Sequence, residues 1–255
     1  MVYSIMAWDF SLFMRPHIKF KLNKSLDIKM AEAFLDFKCG GVDFSRGIMN
    51  VHPKLKILKS VKNKRKRKKI IKAHFDNFYK KHGGYLKNKA AEFNTEWKTV
   101  ESKFLSETNK IFKGYHFHKG KYIGYLSIID CNPRFIKDKT FQIFYFHPSG
   151  ARYVVAHELL HFIFYDYAIN KFPKIFKKLD TENGIFWDLA EIFNTTILSV
   201  SEFKKIHGQK NAPPYPEHKK YIPQITAFWK KTQDIDEWLL KSYEYLMTNK
   251  NTLSL

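Results

Sequence analysis

The chain has 255 residues, of which 44% are hydrophobic and 17% aromatic, and its 45 Lys+Arg against 24 Asp+Glu give a formal net charge of +21. This apolar content excludes disorder along the whole chain, and two cysteines are too few for a disulfide framework or a thiolate zinc cluster. The sequence contains no uncharged apolar run of about 18 residues, the length that crosses a bilayer. We therefore expect a cytoplasmic protein.

The positive charge is concentrated in the N-terminal half. Residues 1–120 carry a net charge of +17, and residues 121–255 carry only +4. Thirteen basic residues lie between Lys54 and Lys81, and the only acid among them is Asp76. Such a block repels itself, so it is either a solvated face or a contact surface for a polyanion such as nucleic acid.

Apolar periodicity predicts an α+β chain. Alternation predicts strands at residues 16–22, 42–51, 115–117, 122–129 and 140–146. Helical spacing predicts helices at residues 26–37, 53–81, 85–112, 151–168 and 184–200. Gly40-Gly41 is expected to end the first helix, and His82-Gly-Gly84 to separate the second from the third.

The predicted elements and the distribution of charge divide the chain into two regions. Residues 1–84 form a basic N-terminal region that we expect to extend the same α+β body, because its strands need a sheet to join. Residues 85–255 are expected to form the core that carries the chemistry, with a helical C-terminal part.

The sharpest signal is an HExxH motif formed by His157, Glu158 and His161 within an otherwise apolar segment. Residues four apart share one helix face, so both imidazoles can bind one metal ion at about 2.0–2.1 Å. Glu158 lies beside that ion, where its carboxylate can take a proton from a zinc-bound water and act as the general base. Leaving these polar groups buried without a metal or a partner would cost several kcal/mol.

A third ligand is expected on the next helix, residues 184–200. Its polar residues, Asp188, Glu191, Asn194 and Thr195, form one stripe on an apolar cylinder. Glu191 is central in the stripe and is our predicted ligand, with Asp188 as the competing one. We expect Asp188 or Asn194 to orient a ligating histidine through its second ring nitrogen. A hydrogen-bond network unrelated to metal is the structural alternative, and Asp166 is either another orienting acid or a surface residue.

The residues His157, Glu158, His161 and Glu191 resemble the pattern of zincin metallopeptidases of the gluzincin type. The order of elements from residue 85 to about 200 is similar to that of minigluzincins. This resemblance implies a catalytic Zn²⁺, peptide-bond hydrolysis and a zincin-like fold. In that fold a small, mainly antiparallel sheet packs on a backing helix and the HExxH helix, and a helical C-terminal subdomain follows.

Other groups are expected to complete such a site. The strand at residues 140–146 is either a sheet edge that pairs with a peptide substrate or a core strand. His207, Tyr215 and His218 are candidates for stabilising an oxyanion, or else surface residues.

Two further hypotheses concern the basic N-terminal region. It is the basis of an alternative function, binding of nucleic acid or another anionic surface, with a structural or regulatory metal site. The other hypothesis is latency, in which this region covers the cleft until it is cut or displaced.

Overall fold

The computed structural model describes residues 16–208 and 213–251, and most of this part of the chain is helical. The helices accompany a small sheet, so the predicted α+β class is confirmed. The strands are β1 (His17–Leu22), β2 (Lys38–Cys39), β3 (Val42–Asp43), β4 (Lys121–Ser127), β5 (Arg134–Phe135) and β6 (Thr140–Phe144). The α-helices are α1 (Lys24–Phe34), α2 (Phe44–Val51), α3 (Lys64–Lys98), α4 (Glu101–Ile111), α5 (Gly150–Lys171), α6 (Pro173–Phe176), α7 (Gly184–Leu198), α8 (Ser201–His207), α9 (Ile222–Thr232) and α10 (Ile235–Asn251).

Four strands form one sheet in the order β1, β4, β6, β5. β4 runs parallel to both β1 and β6, and the short β5 runs antiparallel to β6. The prediction of a mainly antiparallel sheet is therefore wrong, because the sheet is mixed. Parallel neighbours need a crossover connection, and the helices between β1 and β4 supply one. The alternation of apolar residues identifies a strand but carries no information on its direction.

The structure confirms three of the five predicted strands. These are β1, β4 and β6, whose ends differ from the predicted ones by one or two residues. The strand predicted at residues 115–117 is wrong, since these residues are irregular, although Tyr115 and Phe117 both pack against the larger core. The stretch 42–51 is extended only in β3. It becomes helical because the Asp43 side chain accepts a hydrogen bond from the Ser45 backbone N–H and caps α2.

Gly40 and Gly41 form the turn between β2 and β3 instead of ending a helix directly, because α1 stops earlier, at Phe34. Their φ angles of 59° and 80° lie in the left-handed region that favours glycine. The backbone of Gly40 also packs closely against the rings of Tyr215 and Trp187. This hairpin is therefore in contact with the segment that follows α8.

The long helix α3 spans 35 residues and passes through Gly83 and Gly84 without a break. The predicted interruption at residues 82–84 is wrong, and so is the single helix 85–112, because the actual break lies between α3 and α4. Apolar residues of α3 are buried on both sides of the glycines, with Phe75 before them and Leu86 after them. This packing outweighs a glycine cost of about 1 kcal/mol per residue.

The buried apolar residues form two clusters that share α3. The larger cluster contains β1, β4, β6, the second half of α3, and the helices α5 and α7. The smaller cluster lies among α1, α2, the 3-10 helix Pro53–Ser60 and the first half of α3. α3 thus crosses the boundary between residues 1–84 and 85–255, and β1 pairs with β4 across it. None of the described helices is both long and apolar enough to cross a membrane.

We expect alanine at position 83 or 84 to raise the free energy of unfolding by about 0.5–1 kcal/mol per site. α3 is continuous at both glycines, and an added Cβ would meet no atom within 4 Å. Denaturant unfolding of Gly83→Ala and Gly84→Ala measures this. Gly40→Ala is the control that should destabilise, because its Cβ would lie 2.6 Å from Cδ1 of Tyr215. Destabilisation by both helix variants would contradict a continuous α3.

Candidate metal centre

The helix α5 places His157 and His161 one turn apart on the same face, with their Nε2 atoms 3.1 Å from each other. His161 is fully buried, whereas His157 is partly open to a cleft. The ring of His161 stacks on Tyr165, one further turn along α5. The apolar remainder of α5 is buried in the larger core, and this packing holds the face with the histidines in place.

Glu191 lies on α7, which packs against α5, and its carboxylate meets both histidines. Its Oε2 is 3.2 Å from His157 Nε2, and its Oε1 is 3.3 Å from His161 Nε2. A tetrahedral zinc ion with bonds of 2.0–2.1 Å separates its ligand atoms by about 3.3–3.4 Å. The two Nε2 atoms are 3.1 Å apart, and each lies 3.2–3.3 Å from a different oxygen of Glu191, which is close to this value. One ligand atom from each of the three residues lies within 4.8 Å of the others, so His157, His161 and Glu191 are placed to hold a single zinc ion.

Electrostatics set the protonation of the cluster. Burial lowers the pKa of His161 to about 3, and the nearby Arg134 contributes to this, so the ring is neutral. Burial opposes ionisation of Glu191, but the two histidines hold the pKa of its carboxyl well below the usual range. Burial would also lower the pKa of His157, but the hydrogen bond to Glu191 raises it. A neutral imidazole and an ionised carboxylate are the forms that bind a metal.

Glu158 is buried, and its Oε2 has no hydrogen-bond partner among the described residues. Burial raises the pKa of Glu158 to about 7, although His157 and Arg134 partly oppose this increase. A carboxylate with a pKa near neutrality both accepts and releases a proton readily at physiological pH. The free oxygen and this pKa suit the role of general base that the motif predicts.

Arg134 is a site residue that sequence reasoning missed. Its guanidinium is almost fully buried, and its Nη1 donates to Glu191 Oε1 at 3.1 Å. Its Nη2 donates to the Tyr165 hydroxyl at 2.9 Å and to the Thr181 carbonyl at 3.3 Å. Because Arg134 belongs to β5, it connects the edge of the sheet to the metal centre. No sequence motif distinguishes Arg134 from the other Lys and Arg residues among the 45 of the chain, so local patterns could not identify it.

The other polar residues of α7 do not join the cluster. Asp188 accepts hydrogen bonds from His218 Nε2 at 2.8 Å and from the Lys250 ammonium. Asn194 donates to the backbone carbonyl of His157 at 2.8 Å. Among the described residues, neither Asp188 nor Asn194 makes a hydrogen bond to the ring of His157 or His161, so the predicted orienting contact is not formed. Asn194 Oδ1 and His161 Nδ1 are both buried without a partner in the described part of the chain. Thr195 donates to the Glu191 carbonyl, within α7.

Asp166, proposed as a further orienting acid, lies away from the centre. Its carboxylate accepts hydrogen bonds from the Tyr115 hydroxyl at 2.5 Å and contacts His118 Nε2 at 2.7 Å. His118 is exposed, so this group belongs to the surface. The alternative of a surface residue is the one that the structure supports.

A cleft of about 930 Å³ contains His157, Glu158 and Glu191. Tyr215 also lines this cleft, and its ring packs on Trp187. His218 Nε2 instead contacts the Asp188 carboxylate, and His207 Nε2 lies 3.0 Å from the Leu198 carbonyl oxygen. Burial and the charge of Glu191 raise the pKa of Tyr215, so its hydroxyl remains protonated and able to donate. Of the three oxyanion candidates, Tyr215 is the one that the cleft contains.

The predicted substrate edge at residues 140–146 is wrong. β6 lies inside the sheet between β4 and β5, and the segment before β5 covers its remaining backbone. Gln142 N–H donates to the Pro133 carbonyl at 2.8 Å, and Phe144 N–H donates to Asn132 Oδ1 at 2.9 Å. The core-strand alternative therefore applies to β6, and residues 130–134 border the cleft instead.

No protein-family model, no curated protein and no solved structure matches this chain. The assignment of the site consequently depends on the geometry of its own residues.

We expect the purified protein, freed of metal by a chelator, to bind one Zn²⁺ per chain. Glu191→Ala removes a ligand and should weaken the zinc affinity by about 100-fold or more. Loss of a residue that only orients a ligand typically costs about 10–100-fold. Asp188→Asn, one turn away on α7, should retain nearly wild-type affinity. Competition titration with a chromophoric chelator measures both. If Asp188→Asn loses zinc while Glu191→Ala retains it, the ligand assignment is reversed.

Proposed function

We propose that the chain is a zinc-dependent metallopeptidase that hydrolyses peptide bonds. In this proposal His157, His161 and Glu191 hold the ion and Glu158 is the general base. The supporting observation is a set of contacts of 3.1–3.3 Å among the two histidine Nε2 atoms and the two Glu191 oxygens. Glu158, whose Oε2 has no hydrogen-bond partner among the described residues, lines the same cleft. The sequence resemblance to gluzincins points to the same chemistry.

When bound, zinc would supply Lewis acidity toward a water molecule and toward the scissile carbonyl. The Glu158 carboxylate would accept the proton of the attacking water and pass it to the leaving amine. Arg134 would keep the Glu191 carboxylate directed at the two imidazoles. The Tyr215 hydroxyl, protonated and at the cleft, would donate a hydrogen bond to the developing oxyanion.

The test of this proposal is cleavage of an unstructured peptide library by zinc-loaded protein. Glu158→Gln should lower kcat by about 10²–10⁴-fold, because it removes the proton acceptor, while zinc affinity stays near wild type. Asp166→Asn is a matched carboxylate-to-amide control on the same helix, outside the cleft, and should keep wild-type kcat. Full activity of Glu158→Gln, or no cleavage by the loaded wild-type protein, would refute the proposal.

A second candidate function is binding of nucleic acid by the basic face. Eight side chains of the 3-10 helix, the following loop and the start of α3 are exposed and make no ion pair with a described acid: Lys54, Lys56, Lys59, Lys62, Lys64, Arg65, Lys66 and Lys69. Nearby, Arg67 pairs with Asp36, and Lys72 with Asp76. The unpaired set is available for phosphates, and the metal site would then be structural or regulatory.

For this second candidate, the slope of log K against log salt measures the number of phosphate contacts. Replacing Lys64, Arg65, Lys66 and Lys69 by glutamine should reduce the slope by about 0.9 per lost contact on duplex DNA. A control variant with glutamine at Lys219, Lys220, Lys230 and Lys231, which are also exposed, should leave it unchanged. Absence of binding at physiological salt would remove this candidate.

A further inference from the structure

One side of the cleft is formed by residues of the N-terminal region. Phe34 at the end of α1, Phe37 in the following loop and Phe44 at the start of α2 line the same cavity as His157 and Glu158. We call these three phenylalanines the aromatic wall. The predicted metal chemistry makes no use of them.

The rings of the aromatic wall contact one another and line the cleft. Its rings pack edge to face, with centroids 5.3 Å apart for Phe34 and Phe37 and 5.2 Å apart for Phe34 and Phe44. Phe34 and Phe44 are half-buried against the smaller core, whereas Phe37 is 37% exposed. An exposed aromatic surface of this kind within a groove is typical of a binding site for an apolar group.

The carboxylate of Asp43, the residue before Phe44 of the aromatic wall, already has partners. The Asp43 carboxylate accepts hydrogen bonds from Ser45 N–H at 3.1 Å and Ser45 Oγ at 2.6 Å. It also lies 3.8 Å from Arg46 Nε and 3.9 Å from Lys38 Nζ. Asp43 therefore has little capacity to attract a cationic side chain, and the surface that this wall offers is mainly apolar.

We propose that the aromatic wall is a specificity subsite that binds a bulky apolar side chain, such as Phe, Leu or Met, of a peptide substrate. This inference rests on the proposed function, because it takes the cleft at Glu158 as the place where a peptide lies. A peptide with its scissile bond at Glu158 continues along the same cleft, and one neighbouring side chain then contacts Phe37. The N-terminal region thus contributes to substrate choice.

Binding and cleavage are measured separately. Zinc-loaded Glu158→Gln protein is titrated with fluorescent pools of short random peptides that share one fixed residue, Phe, Leu, Lys or Asp. The Phe and Leu pools should bind at least about 10-fold more tightly than the Lys and Asp pools. Adding Phe37→Ala should remove this preference, and adding Phe37→Glu should shift it toward the Lys pool. Phe146→Ala is the matched control: Phe146 is 73% exposed, is not part of the cleft lining, and should not alter the preference.

Wild-type cleavage of the same pools separates the two proposals. Apolar preference in binding without cleavage of any pool would refute the metallopeptidase and leave the subsite intact. Cleavage without an apolar preference, or a preference that Phe37→Ala leaves unchanged, would overturn the subsite and leave the metallopeptidase intact. Phe37 is exposed, so folding of its variants is expected, and circular dichroism verifies it.

Discussion

The burial of the Glu191 carboxylate is the constraint on which the rest of the site depends. A buried charge is tolerated only when donors and opposite charges surround it, since its desolvation costs several kcal/mol. Here Glu191 is 3% exposed and has His157 and His161 on α5 and Arg134 on β5 within 3.1–3.3 Å. The centre therefore exists because two apolar helices pack together and bring their few polar groups into mutual contact.

Contacts outside the cluster fix these helices. Tyr165 stacks on His161 and accepts a hydrogen bond from Arg134, so the sheet edge and α5 are linked through one side chain. Asp188 binds His218 and Lys250, which attaches α10 to α7 one turn from Glu191. The positions of the three candidate ligands are thus set by the surrounding protein. Such preorganisation is the usual condition for an effective metal site.

The N-terminal region has two faces of opposite character. Its outer surface carries Arg65 and the lysines of the 3-10 helix, the following loop and α3 that make no ion pair with a described acid. Its inner surface carries the aromatic wall of the cleft. α3 supports both, because its buried residues up to Leu86 belong to the smaller core and those from Ala90 onward belong to the larger core. The large positive charge of the chain therefore describes the exterior of this region, whereas the cleft combines acidic and aromatic groups.

Local sequence patterns were sufficient to predict the elements with strong periodicity and the two candidate ligands that share one helix. β1, β4, β6, α5 and α7 follow from local alternation or helical spacing, and the positions of His157 and His161 follow from one helical turn. The folded structure was needed for the strand directions, the continuity of α3 through its glycines and the contacts of Arg134. These features depend on interactions between residues far apart in the chain. Local patterns record which residues are buried, but they do not record which residues meet.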